Sequence, residues 1–416
     1  DLNTSKHVDL KDPPITLEEV FAAYYECRKN KRRTINALKF EMNLEENLVL
    51  LWKELNEGSY KVGRSIAFIV HQPVDREVFA ADFRDRIVHH LVIRKLMFLL
   101  DQAISPHSYS CRKGMGTLYG IKQVYNHVKE CSKNYTRDCY VLKLDIRAFF
   151  MHIKQSILNK MLADVVKVNY HGRDKYLLLK IIKLIVTNQP QLNCIRKGSV
   201  RDWDKLPKSK SLFFVQRGKG LPIGNLSSQI FANFYLNQFD KFVSTQPGVY
   251  YGRYVDDMII IHQDKQYLMD LLKRIKVYLK QNYNLILHPR KIQLQHYAKG
   301  FPFIGAFLLP HRMYAGNRLK KMFFQKLRNM IPKSKECGGK GDSLKINNTD
   351  NTSLNERGLG LFEDEVPKHL QSHLPPIEAS GYSYTFLSVI MPKLRRKYYL
   401  ECKRIRDRLR SYKNTI

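Results

Sequence analysis

The sequence predicts an α+β fold, because two periodicities alternate along it. Long stretches such as 155–187 and 264–282 carry apolar residues at three- and four-residue spacing. Between them stand short β-branched, aromatic or Leu-rich runs: VLKLDI (141–146), GVYYGRYV (248–255) and DMIIIH (257–262). Taken in order, residues 16–57 read as helices, opening on Thr16 and Glu19 at capping-box spacing. Residues 77–100 also read as helix, with apolar positions running from Val78 and Phe79 to Leu99. VLKLDI alternates and reads as a strand. Helix follows over 155–187, a loop or hairpin punctuated by Pro, Gly and Lys over 190–219, and helix over 226–243. The two β runs then form a hairpin turning at Val255-Asp256, followed by helix at 264–282 and strands at 284–287 and 301–309. After residue 310 the composition shifts. Residues 318–331 (RLKKMFFQKLRNMI) form a basic amphipathic helix, 333–380 a polar, flexible insertion, and 391–416 a helical tail with ten Lys/Arg.

The 416 residues supply enough chain for two to three domains. Lys and Arg number 71 against 38 Asp and Glu, a net charge of +33. So large an excess argues against an ordinary enzyme of small neutral substrates and for a polyanionic partner, nucleic acid or an anionic membrane. The membrane reading weakens because runs such as LVLLW (48–52) fall far below the roughly 18 residues of a span. The first thirty residues carry no apolar signal-peptide core. The seven cysteines form no CxxC pair, which argues against a zinc ribbon and fits free thiols in a reducing cytoplasm.

Three carboxylates stand out. Asp145 ends the apolar run VLKLD, where burying an unpaired charge costs several kcal/mol. Asp256 and Asp257 lie 111 residues further on, adjacent at a tight turn between apolar strands. Strands that deliver carboxylates from a turn can meet a third carboxylate from a neighbouring strand. That makes an oxygen-rich site for two Mg²⁺ ions about 3.5–4 Å apart.

These motifs carry a family resemblance. GRYVDDMIII resembles the polymerase signature of reverse transcriptases, and LKLDIRAFF their first metal-binding motif. GLPIGNLSSQIFANFYLNQFD (220–240) is similar to the motif between them, in the IGxxxSQ form of the reverse transcriptases of diversity-generating retroelements. FRDRIVHHLV (83–92), HSYSCRKGMGT (107–117) and WDKLPKSKSLF (203–213) resemble the same subgroup. The resemblance covers about residues 70–310 and implies a right-hand polymerase. Fingers and palm, an antiparallel sheet with helices, would occupy 1–310, and a basic helical thumb 311–416.

The resemblance also implies roles. Asp145, Asp256 and Asp257 would be the catalytic carboxylates, with the Ile146 carbonyl as an extra ligand to two Mg²⁺ ions, Mn²⁺ being the alternative. Lys291 matches a lysine that protonates pyrophosphate. Phe150 matches the aromatic gate that selects dNTP over rNTP, with Phe149 as the alternative. Arg76 resembles a triphosphate ligand, and Gly224, Gln229 and Tyr254 fall in the nucleotide-binding motifs. Arg112 and Lys113 would face phosphate or template. Lys320, Lys321, Arg395 and Arg396 would grip the RNA–DNA duplex by shape and 2′-hydroxyls. GFPFIGAFL (300–308) resembles a primer-grip hairpin. His89 and His90 are expected to pack rather than bind metal.

Ile223 departs from other reverse transcriptases, which carry Gln there beside the incoming nucleotide. An Ile cannot hydrogen-bond, so base-pair checking should loosen. The subgroup implies misincorporation opposite template adenines, mutagenic retrohoming, a retroelement template RNA, and a small basic ring-forming accessory variability protein in a bacterial or phage setting. The rival readings are another bacterial reverse transcriptase, of retron, intron or phage-defence type, and a non-catalytic RNA-binding scaffold.

Overall fold

The computed structural model describes residues 12–29, 34–71 and 74–330, with backbone alone for 326–330. Thr16 starts the first helix, α1 (Leu17–Arg28), through the expected capping box. Its hydroxyl accepts from the Glu19 amide at 3.3 Å, and Glu19 accepts from the Thr16 amide at 3.1 Å. Helices α2 (Ile35–Glu41) and α3 (Leu44–Glu57) follow, the last closed by Gly58 in the left-handed region at φ +72°. Strands β1 (Ser65–Val70) and β2 (Arg76–Ala80) then pair antiparallel, with Ile66 opposite Ala80. Asp82 caps α4 (Phe83–Ala103), the long central helix, by accepting from the Arg84 amide at 3.0 Å.

Helix α5 (Thr117–Cys131) leads into β3 (Tyr140–Asp145), then α6 (Phe149–His152), α7 (Gln155–Asn169) and α8 (Lys175–Thr187). A short β4 (Cys194–Arg196) runs parallel to β1 and completes a three-stranded sheet in the order β2-β1-β4. After α9 (Arg201–Asp204) come α10 (Leu226–Tyr235) and α11 (Asn237–Ser244). The hairpin strands are β5 (Tyr250–Tyr254) and β6 (Asp257–His262), followed by α12 (Lys265–Tyr283) and β7 (Gln293–His296). Strands β8 (Phe301–Phe303), β9 (Ala306–Leu309) and β10 (Arg312–Ala315) precede α13 (Asn317–Met330).

The central sheet has the antiparallel order β5-β6-β3-β7. Met258, Ile259, Ile260 and Ile261 of β6 are all fully buried. Successive strand residues point to opposite faces, so both faces of this sheet are covered. That is why DMIIIH is continuously apolar rather than alternating. Met258 and Ile260 join the main core with Leu271 and Ile275 of α12, while α5 packs on β5 and β6.

The chain divides into two compact units: residues 1–304 with 308–312, and 305–307 with 313 onward. No described helix is long and apolar enough to cross a membrane. Among the described residues, Cys27, Cys111, Cys131, Cys139 and Cys194 form no disulfide.

Several expectations need correction. Val78 and Phe79 lie in strand β2, because the Asp82 cap starts the helix only at Phe83. The 155–187 helix is two helices, broken at Tyr170–Asp174. Residues 284–287 form no strand; Leu287 makes a single bridge to Ile146. Instead β7, not foreseen, pairs with β3 at 293–296. The expected 301–309 strand is β8 and β9 with a turn at Ile304-Gly305, both at positive φ. The expected insertion at 333–380 and the basic tail lie outside the described residues.

Candidate active site

Strand pairing brings the three acids together. In the β3–β6 register Asp145 stands directly opposite Asp257, at the end of one strand and the start of the other. Asp256 precedes it in the β5–β6 turn, and Tyr254 pairs with Asp257 across that hairpin. Facing residues in an antiparallel pair have Cα atoms about 4.5–5.5 Å apart. Asp145 is nearly buried, with its carbonyl accepting from the His288 amide at 2.8 Å. The next residue, Ile146, bridges Leu287, and the Arg147 amide donates to Ile286 at 2.9 Å. These bonds fix the chain beyond β3 where the sheet ladder ends.

Lys291 completes the group. Its ammonium donates to Asp145 Oδ2 at 2.6 Å. Burial works against that ammonium's charge, but the hydrogen bond and charge of Asp145, with Asp256 and Asp257, outweigh it and raise its pKa. Burial also pushes the Asp256 carboxyl up to about 7, with repulsion from Asp257 and Asp145 adding to it. The Asp257 carboxyl is raised by burial first, with Asp145 adding and Lys143 and Lys291 opposing. Burial, ahead of repulsion between the acids, is what disfavours ionised Asp256 and Asp257. Among the described residues, no three His, Cys, Asp or Glu side chains are drawn together tightly enough to hold a metal ion, and Asp145 is instead paired with Lys291. The donor set is nonetheless of hard oxygens, the kind a divalent cation of the Mg²⁺ type prefers, and Asp145, Asp256, Asp257 and the Ile146 carbonyl are the residues that would hold it.

An apolar wall lies in the same unit. Ala148 adopts the left-handed region (φ +46°) and starts α6, which carries Phe149 and Phe150. Phe149 is buried in the main core; Phe150 is half-buried, with its carbonyl accepting from the Leu221 amide at 2.9 Å. Ile223 and Phe150 pack on one cluster with Phe79, Met151 and Leu212. The Phe79 amide donates to the Ile223 carbonyl at 2.8 Å. Gly224 sits beside it at φ +122°, where a Cβ would lie 2.6 Å from Val78 Cγ1. No other residue fits that backbone without displacing β2.

The remaining expected residues differ in exposure and in partners. Arg76 is exposed at the start of β2. Gln229 is exposed on α10 and accepts from the Cys111 thiol at 3.7 Å. The Arg112 guanidinium is committed to protein: it donates to Asp101 Oδ1 at 2.5 Å and to the carbonyls of Asp101, Ser105 and Ser108. This places it in the framework rather than free for phosphate, whereas Lys113 is exposed. In the second unit Lys320 lies over the Tyr314 ring at 6.0 Å and Lys321 is exposed. Arg395 and Arg396 lie outside the described residues. His89 packs as expected, 2.6 Å from the Ser227 hydroxyl.

Several buried charged residues were not singled out by the sequence. Arg253, fully buried, forms an ion pair with the fully buried Asp240 at 2.5 Å. Glu77, also buried, accepts from Trp203 Nε1, the Ser211 hydroxyl and the Leu212 amide, and so ties the 203–213 segment to β2. For Arg253 the available signal was a charged residue inside a short strand, YYGRY, otherwise free of charge.

Residues 76–308, more than half of the chain, match the family model of the reverse transcriptase (RNA-dependent DNA polymerase). The chain is 20% identical over 317 residues to Protein YkfC of Escherichia coli (strain K12), covering 68% of this chain and 76% of that protein. Among solved structures it is similar to apo telomerase from Candida tropicalis truncated from its C-terminal domain, at 15% identity and a TM-score of 0.44, covering 60% of this chain and 55% of that one. Telomerase from Candida tropicalis in complex with a TWJ fragment of telomeric RNA gives 15% identity and a TM-score of 0.45, covering 64% and 50%. The match thus spans about half the length of these telomerase chains. On the family match across its central region, the chain belongs to the reverse transcriptases, RNA-directed DNA polymerases that are nucleotidyltransferases using divalent metal ions.

Proposed function

We propose that this reverse transcriptase copies the template RNA of a diversity-generating retroelement into cDNA at low fidelity, with errors opposite template adenines, and so feeds mutagenic retrohoming. The observation that carries the finer reading is Ile223, seated in one apolar cluster with Phe150. A Gln at this place could donate to a base or sugar edge; the Ile offers only contact. A correct pair and a mismatch then differ less in transition-state binding.

In this reading Asp145, Asp256 and Asp257 hold two Mg²⁺ ions, which supply charge stabilisation to the in-line displacement when bound. Lys291, already hydrogen-bonded to Asp145, carries a proton within reach of the site for the departing pyrophosphate. Phe150 screens the sugar, Arg76 contacts the triphosphate, and Gly224, Gln229 and Tyr254 shape the nucleotide pocket. Residues 1–310 serve as fingers and palm, and 311–416 as a thumb whose basic residues grip the duplex. A small basic ring-forming protein is the proposed accessory partner.

The test is primer extension on a defined RNA template, followed by product sequencing. Errors concentrated at template adenines, and reduced by Ile223→Gln, support the proposal. A flat, low error rate in the wild type rejects it, and an unchanged spectrum in Ile223→Gln removes Ile223 as the cause. Pull-down from the native host should recover a retroelement RNA and a small basic polypeptide.

A further inference from the structure

We infer that Arg253, Asn233 and Ser110 are positioning residues that aim Asp256 and Asp257; this rests on reading those acids as the polymerase site. The turn they hold is strained. Val255 adopts φ +59°, in the left-handed region that a β-branched residue rarely enters. Such conformations persist only where the surroundings over-determine them.

Here both peptide groups of Val255 are held by one closed ring of hydrogen bonds. The Val255 amide donates to the Ser110 hydroxyl at 3.3 Å, and that hydroxyl donates to Asn233 Oδ1 at 3.1 Å. Asn233 Oδ1 also accepts from Arg253 Nη1 at 3.1 Å, and the same Nη1 donates to the Val255 carbonyl at 2.8 Å. Everything around the ring is locked in turn. Arg253 Nε and Nη2 donate to Asp240 at 2.6 and 2.5 Å, and Nη2 also donates to the Asn233 carbonyl at 2.9 Å. Asn233 Nδ2 donates to the Ser110 carbonyl at 2.9 Å, and the Tyr251 hydroxyl donates to Asp240 at 2.8 Å.

A buried guanidinium fork can do this where an ammonium cannot, because it serves Asp240 on one edge and the turn on the other. The next two residues after Val255 are the acids. A small rotation at Val255 would therefore swing both carboxylates relative to Asp145, and misplacement on the ångström scale costs about two orders of magnitude in rate.

The test uses the full chain with two clamp variants and one comparator. Ser110→Ala removes the acceptor of the Val255 amide, and Arg253→Lys keeps the charge against Asp240 but loses the fork. Asn237→Ala removes comparable buried bonds, to the Ser105 amide at 3.0 Å and the Ala103 carbonyl at 2.8 Å, without touching the turn. Three quantities are read: steady-state extension with varied dNTP, hydrogen exchange of the Val255 amide, and the melting temperature. Both clamp variants should lose at least about tenfold in kcat with KM for dNTP unchanged, and the Val255 amide should exchange faster. Asn237→Ala should melt lower yet keep kcat and Val255 exchange. Folded clamp variants with wild-type kcat would overturn the inference, as would an equal kcat loss in Asn237→Ala. If Arg253→Lys does not fold, Ser110→Ala decides. A wild-type chain that extends no primer would sink the polymerase reading instead, and exchange at Val255 would still report on the clamp.

Discussion

Asp145 and Asp257 face each other across β3 and β6, the last residue of one strand against the first of the next. Two like charges in register are unfavourable in an ordinary sheet. The arrangement makes physical sense when positive charge is supplied between them, and Lys291 already donates to Asp145 at 2.6 Å.

The burial of Asp256 beside these acids predicts a pH dependence. Burial first, then Asp257 and Asp145, push the Asp256 carboxyl up to about 7. Its folded pKa therefore lies above the unfolded value of about 3.9. The stability it contributes is fully present below about pH 3.9 and is lost as pH rises through about 7. With divalent ions chelated, the wild type should gain melting temperature between about pH 8 and pH 5.5, and Asp256→Asn should gain less. Thermal melts of the two proteins across that range check this; an identical gain in both would contradict it.

The neighbouring rings should separate stability from selectivity. Phe149 is 2% exposed and belongs to the main core, so Phe149→Ala should cost about 3–5 kcal/mol of stability. Phe150 is half-buried, so Phe150→Ala should cost less and chiefly relax discrimination against ribonucleotides. Denaturant unfolding and competitive incorporation of dNTP against rNTP distinguish the two. Equal effects on both readouts would remove Phe150 as a sugar gate.

Arg112 and Lys113 should also behave differently although adjacent. Arg112 is held by Asp101 and three backbone carbonyls, so Arg112→Ala should lower the melting temperature and leave the salt slope of RNA binding unchanged. Lys113 is exposed, so Lys113→Ala should leave stability unchanged and flatten that slope by about one unit if it meets phosphate. Binding isotherms at several salt concentrations decide.

Much of this site was legible in the sequence because its parts are local. VLKLD and DMIIIH announce strands by composition, and the acids at their ends announce themselves by standing beside apolar residues. The register that places Asp145 against Asp257 is a long-range pairing, and nothing in either strand specifies the other. Val78 and Phe79 fit a helical spacing as well as a strand until the Asp82 cap settles the boundary. The run at 284–287 has strand composition but finds only one bridging partner, Ile146. The Arg253–Asp240 pair was missed because their partnership exists only in the folded core.

If Asp145, Asp256 and Asp257 act as one centre, loss of either side of it should stop the same reaction. Single-nucleotide extension of a primer on an RNA template with Mg²⁺ measures this, comparing wild type with Asp145→Asn and with Asp256→Ala plus Asp257→Ala, each confirmed folded by its melting curve. Both variants should lose at least about a thousandfold in rate, because each removes carboxylate charge from the same reacting centre. Extension by either folded variant at a rate near that of the wild type would contradict it.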